Sequence, residues 1–134
     1  MARSARLILP AAADVANALA AWQRWLGDER RVAAATLEAY VGDLQGFLRF
    51  IAEHRGTPAD LAALATLKQT DFRAWLAARS SSGLAKSSTA RALAALRSFY
   101  RFLARRKLAD NPAIAGLRTP KLAKSVPKAL SVDE

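Results

Sequence analysis

From Lys86 to Lys107 the chain reads KSSTARALAALRSFYRFLARRK, returning to an apolar residue every three or four positions while carrying five arginines and two lysines. That spacing belongs to an α-helix with one buried face and excludes a β-strand, whose side chains alternate every second residue. Wound at about 100° per residue, Ala92, Leu93, Leu96, Phe99, Tyr100 and Leu103 fall in a sector of about 120°, the width of a core-facing stripe. Ser87, Arg91, Ala94, Ser98, Arg101 and Arg105 gather on the opposite side, with Arg97 at the boundary. Small residues there allow close approach, and guanidinium groups suit both phosphates and the O6/N7 edge of guanine, so this face fits a DNA major groove. Lys86, Ser87 and Ser88 coincide with the free N–H groups and positive dipole end of the helix, an anchor for a phosphate. The same pattern also suits a plain solvated face whose arginines only keep the domain in solution.

The rest of the chain repeats this period. A first helix is expected from about Asp14, as N-cap, to about Asp28, with Val15, Ala18, Leu19, Trp22 and Leu26 on one face. A second should run from about Ala34 to His54, with Leu37, Tyr40, Val41, Leu44, Phe47, Leu48 and Ile51 in one stripe and Gly56 as its stop. Thr57-Pro58-Ala59-Asp60 reads as a cap followed by Pro at the first helical position, opening a short or irregular turn through Leu64. A third helix, starting near Thr70 with Phe72, Trp75 and Leu76 inward, should end in Ser80-Ser81-Ser82-Gly83. After the cationic helix, Asp110-Asn111-Pro112 can start only a short last helix before Gly116. No stretch shows a convincing strand alternation and no internal repeat is visible. The expectation is an all-α domain with one core, at 134 residues. It divides into a flexible segment over 1–13, the helical domain over 14–118, and a Pro- and Lys-containing tether over 119–134.

Charge narrows the function. The net charge of +10 is distributed unevenly, with seven Lys/Arg and seven Asp/Glu in residues 1–67 and fourteen against four in residues 68–134. Between Phe72 and Val132 the only acid is Asp110, so a polyanion is the simplest partner for that half. The absence of Cys excludes disulfides and thiolate chemistry and suits a reducing cytosol. His54, the single histidine, sits at a helix end beside Arg55 and Gly56, so no metal and no cofactor is expected. The early segment MARSARLILPAAADVANALA fails as a secretory signal, because Pro10, Asp14 and Asn17 interrupt its apolar run. Nothing reaches the roughly 18 uncharged apolar residues that span a bilayer, so no membrane partner is expected.

Several segments in order, TLEAYVGDLQGFLRFI, GLAKSSTARALAALRSFYRFLARR, NPA and PKLAKSVPKALSVDE, resemble the amino-terminal core-binding domain of Xer-type tyrosine recombinases. The most specific part runs from Ser88 to Leu103, with Asn111-Pro112-Ala113 and Pro127-Lys128-x-Leu130-Ser131; the Leu-Arg-Ser-Phe-Tyr run and Asn-Pro-Ala lean toward the XerC branch over XerD. The resemblance implies a compact four- to five-helix SAM-like orthogonal bundle that sits on one side of duplex DNA while a separate catalytic domain closes over the other. It implies that the second and fourth helices face the major groove. That places Thr36 and Ala39, and Lys86, Ser87, Ser88 and Arg91, near DNA, with Arg91 favoured for a base contact. Arg97, Arg101 and Arg105 are assigned to phosphates or to a basic surround. Glu38 reads as exposed, with acceptance from a cytosine amino group as the sharper alternative. Val32-Ala33-Ala34-Ala35 departs from the family, whose members often carry a Ser-based cap before the second helix.

In that family a tyrosine hydroxyl attacks the scissile phosphate, assisted by arginines, a lysine and histidines. Here Tyr40 and Tyr100 lie on apolar stripes and no histidine pair exists, so binding without strand cleavage is expected, with residues 119–134 leading toward a missing catalytic domain. The implied role is binding of a recombination half-site, in chromosome dimer resolution at dif-like sites, in the bacterial cytoplasm at the nucleoid. The implied partners are double-stranded DNA and a second Xer-type recombinase in a tetrameric synapse. Two alternatives stay open: the core-binding domain of a phage or integron integrase, and a protein-interaction bundle in which the first helix, with Trp25 and Val15 to Leu26, and the last one dock on a neighbouring recombinase.

Overall fold

The computed structural model describes residues 11–118, which form five α-helices: α1 (Ala13–Asp28), α2 (Ala34–Arg55), α3 (Leu61–Thr66), α4 (Gln69–Ser81) and α5 (Lys86–Arg105). A 3-10 helix (Pro112–Gly116) follows. The one strand-like pairing among the described residues is an isolated parallel bridge between Ala11 and Ala59. The all-α bundle expected from the periodicity is therefore what forms. Of the flexible segment expected over 1–13, residues 1–10 lie outside the described residues, as does the tether expected over 119–134; within the described part Ala12 donates its N–H to the Ala59 carbonyl at 3.0 Å.

Helix α5 is the central element, packed chiefly on α2 and also on α1 and α4. Its expected stripe is buried, and Thr89, Ala95 and Phe102 are buried with it, widening the covered sector to about 180°. The extra width follows from having neighbours on several sides. On α2, Leu44, Phe47, Leu48 and Ile51 are fully covered, while Leu37, Tyr40 and Val41, nearer the open end, are only partly so. Aromatic rings join the layers: Trp22 meets Phe99 edge-on at 5.3 Å, and Phe47 stands edge-on to Trp75 at 5.1 Å and stacked on Phe72 at 5.9 Å. Such arrangements satisfy the ring quadrupoles in addition to removing apolar area from water, which contributes about 1.5–3 kcal/mol for each fully buried large side chain.

Two caps differ from expectation. Asp14 is not the N-cap of α1, because the cap falls two residues earlier at Ala12, which offers no side-chain bond. From the first turn its carboxylate instead accepts the Leu61 N–H at 3.2 Å, tying α1 to α3. Thr57 and Pro58 do not open a helix either. Ala59 is buried and paired with Ala12, which holds that stretch extended, and Asp60 caps α3 by accepting from the Ala63 N–H at 2.8 Å. Helix α4 begins at Gln69, where the Asp71 carboxylate accepts the Lys68 N–H at 2.7 Å. Gly56 ends α2 with φ at 83°, the left-handed conformation that glycine adopts without steric cost.

The short last helix is fixed by Asn111. Its side-chain amide donates to the Leu64 carbonyl at 2.9 Å and the Leu67 carbonyl at 2.8 Å, and its oxygen accepts from the Ala113 N–H. The hydroxyl of Tyr100 donates to the same Leu64 carbonyl at 2.8 Å. Among the described residues no helix is long and apolar enough to cross a membrane.

Candidate functional site

The outer face of α5 is open to solvent where the periodicity placed it. Lys86, Ser87, Arg91, Ala94, Arg101 and Arg105 are exposed, Ser88, Arg97 and Ser98 half-buried, and the helix carries no acid along its length. Ser98 is held from behind by the Trp22 indole N–H, which donates to its hydroxyl at 3.2 Å. Neither the N-cap of α5, Ala85, nor that of α2, Ala33, offers a side-chain bond, so the first-turn N–H groups of both helices keep their capacity for an external acceptor.

Arg91 is not an untethered outward cation. Its Nε and Nη2 donate to the two carboxylate oxygens of Asp43 at 2.8 Å each, a bidentate pair in which Asp43 is 7% exposed and Arg91 45%. A guanidinium has five N–H donors, so the Nη1 group and the second Nη2 hydrogen remain for another ligand. The bond to Asp43 holds the guanidinium pKa above its usual value. Beside this pair, Arg79 donates from Nε to the buried Thr89 hydroxyl at 2.9 Å; burial lowers its pKa, and the nearby Asp43 charge offsets part of that. Thr36, Ala39 and Asp43 lie within about 60° of one another on α2, so Thr36 and Ala39 occupy the turns leading up to the Asp43–Arg91 pair. Glu38 is exposed well round the helix, where it lines a shallow hollow with Gln23 and Gln45, and the fold does not join it to the other candidates.

Arg97, Arg101 and Arg105 line a cleft of about 310 Å³ together with Trp25, Arg30 and Tyr40. Arg30 and Arg105 both stack on the Trp25 indole, at 5.4 and 5.5 Å from its centre. Arg97 also donates to the Leu117 carbonyl. No acid lines the cleft.

Neither tyrosine is placed as a nucleophile. Tyr100 is 3% exposed, its hydroxyl is bonded to Leu64, and burial pushes its pKa well up. Tyr40 is half-buried with its ring parallel to Trp22 at 6.4 Å. His54 is exposed at the end of α2, within 3.0 Å of the Asp71 carboxylate and stacked on Phe50. The Lys68 N–H and, to a smaller extent, His54 hold the Asp71 pKa below its ordinary value. Among the described residues no group of His, Cys, Asp or Glu gathers as a metal site.

Two parts of this surface escaped sequence reasoning. Asp43 falls beside the apolar stripe of α2, three residues after Tyr40 and four before Phe47, which signals burial but not its partner. Arg30 sits in what reads as an inter-helix turn, and nothing in its neighbourhood points to α5.

Over residues 19–107 the chain matches the family described as phage integrase, N-terminal SAM-like domain. It is similar to the tyrosine recombinase XerC of Rhodospirillum centenum, 46% identical over 121 residues that make up 90% of this chain and 36% of that protein. The tyrosine recombinase XerC of Methylobacterium sp. strain 4-46 is 43% identical over 93% of this chain and 39% of its own. That of Brucella suis biovar 1 is 36% identical over 100% of this chain and 42% of its own. The chain thus spans 36–42% of the length of these relatives. No solved structure matches it. The resemblance to Xer-type recombinases and the leaning toward XerC agree with these matches.

Proposed function

Because the chain belongs to the phage integrase N-terminal SAM-like domain family, we propose that it is the DNA-binding domain of a site-specific tyrosine recombinase. In this reading duplex DNA rests on the outer face of α5 and the first turns of α2. The observation that carries it is the acid-free face of α5, where exposed cations alternate with small residues. Arg91 reads a base: Asp43 fixes one edge of its guanidinium, and the remaining donors are left for guanine O6/N7. Lys86, Ser87 and Ser88 offer the α5 N-terminus to a phosphate, Thr36 and Ala39 lie against the backbone on the α2 side, and Arg97, Arg101 and Arg105 supply sequence-independent attraction.

The relatives' name, tyrosine recombinase XerC, supports a finer reading. The chain binds one half of a dif-like recombination site in chromosome dimer resolution, beside a second Xer-type recombinase in a tetrameric synapse, in the bacterial cytoplasm at the nucleoid. By itself it binds without cleaving, since the Tyr100 hydroxyl is buried and bonded and Tyr40 is packed on Trp22.

A gel shift with a recombination half-site against scrambled duplex, each at two salt concentrations, tests this directly. The half-site should be retained more strongly, and affinity should fall with a log–log salt slope of several units, about −0.9 per phosphate neutralised. Weak, salt-insensitive retention of both duplexes would leave protein docking as the sole role. A covalent protein–DNA adduct formed by this chain would refute binding without cleavage.

A further inference from the structure

We propose that the cleft between the end of α1 and the outer face of α5 is a seat for a single DNA backbone phosphate, built by Trp25 and Arg30 together with Arg101 and Arg105. The inference deepens the DNA-binding reading and rests on it. It assigns α1, otherwise the helix suited to docking a protein partner, a direct part in holding the duplex.

The argument begins with charge. Arg30, Arg101 and Arg105 line the same cleft, and none has a carboxylate within ion-pair distance among the described residues. Arg30 and Arg105 stack on one indole ring, so their charged centres lie at most about 11 Å apart, close to the ~10 Å Debye length at 0.1 M salt. Each gains from the ring quadrupole and each repels the other. An anion in the cleft that both line converts that repulsion into two attractions.

Shape and position identify the anion. The cleft, about 310 Å³, is roughly ten times a water molecule's share of the liquid and admits a phosphate with its adjoining sugar. Its walls carry guanidinium forks, which match phosphate oxygens, two of them stacked on the partly buried Trp25 indole. Ala94, Ser98, Arg101 and Arg105 line both the cleft and the outer face of α5, so a duplex lying on that face passes over the opening. A phosphate there fixes the position of the duplex and carries no base information.

Trp25 supplies the readout, because Trp22 and Trp75 are 0% and 2% exposed while Trp25 is only partly buried. Random-sequence duplex added to the full chain should change the tryptophan emission, and Trp25→Phe should remove that change. Arg30→Ala should weaken half-site and random duplex by the same factor and lower the log–log salt slope by about 0.9. Arg30→Lys should restore most of the slope, and matching thermal melts for both variants exclude unfolding as the cause. An Arg30→Ala variant with unchanged affinity and slope overturns the seat and leaves Trp25 and Arg30 as a protein-docking face. A full emission change from millimolar inorganic phosphate, with none from duplex that is nevertheless bound, overturns it in favour of a free-phosphate site. Failure of the unmodified chain to bind duplex at all sinks the DNA-binding reading itself, and the seat with it.

Discussion

Asp43 and Arg91 form one unit, and substituting either changes two properties at once. The carboxylate is almost covered, and its charge is matched by two guanidinium bonds of 2.8 Å. Arg91→Ala should therefore strand a buried acceptor and cost about 1–3 kcal/mol of folding stability in a urea melt, apart from any loss of DNA contact. Asp43→Ala together with Arg91→Ala should recover part of that loss, since no unpaired charge remains buried. If DNA reading also depends on the pair, the two substitutions should couple in half-site affinity as well, with random duplex far less affected. Arg105→Ala should behave differently, costing folding stability no more than about 0.5–1 kcal/mol from its exposed contact with Trp25. The outward position of Arg91 was legible from the helical wheel, but its tether was not. A partner 48 residues away on another helix leaves no mark in local periodicity.

At the scale of elements, α5 shows which features periodicity can deliver. Its inward stripe follows from spacing alone, and Leu96, fully covered at the centre, should cost about 2–5 kcal/mol when cut to Ala. Thermal melting would register the loss. Boundaries were less legible, because caps are decided by which backbone groups tertiary pairing has already taken. Thr57 and Asp60 both have the chemistry of a cap ahead of α3, and the pairing of Ala59 with Ala12 selects Asp60. The start of α4 makes a pH prediction. Asp71 is held below its ordinary value of 3.8 mainly by the Lys68 N–H, so its contribution is complete above that value and disappears as pH falls through the lower folded value. An acid titration followed by circular dichroism should therefore show Asp71→Asn less stable than the parent near neutrality, with the gap closing below about pH 4.

For the whole molecule, folding separates the two tasks that the sequence interleaves. The apolar residues of all five helices close into one core, while most of the described cations of the second half remain on its surface, several of them along α5. On the proposed function, core and DNA-binding face are carried by opposite sides of the same helix, so a bound duplex would stabilise the fold by mass action without needing to build it. Duplex at 100 times its Kd should add about 2.7 kcal/mol to unfolding, seen as a raised midpoint in thermal melting. Because phosphate neutralisation weakens steeply with salt, raising ionic strength should shrink that increment at fixed duplex concentration while leaving the midpoint of the free domain nearly unchanged. The reverse result, a free domain that gains stability with salt while the duplex increment stays constant, would mean that the cations act mainly by repelling one another. In that case the basic face would be a source of strain relieved by any counterion, and its charge would carry no information about DNA.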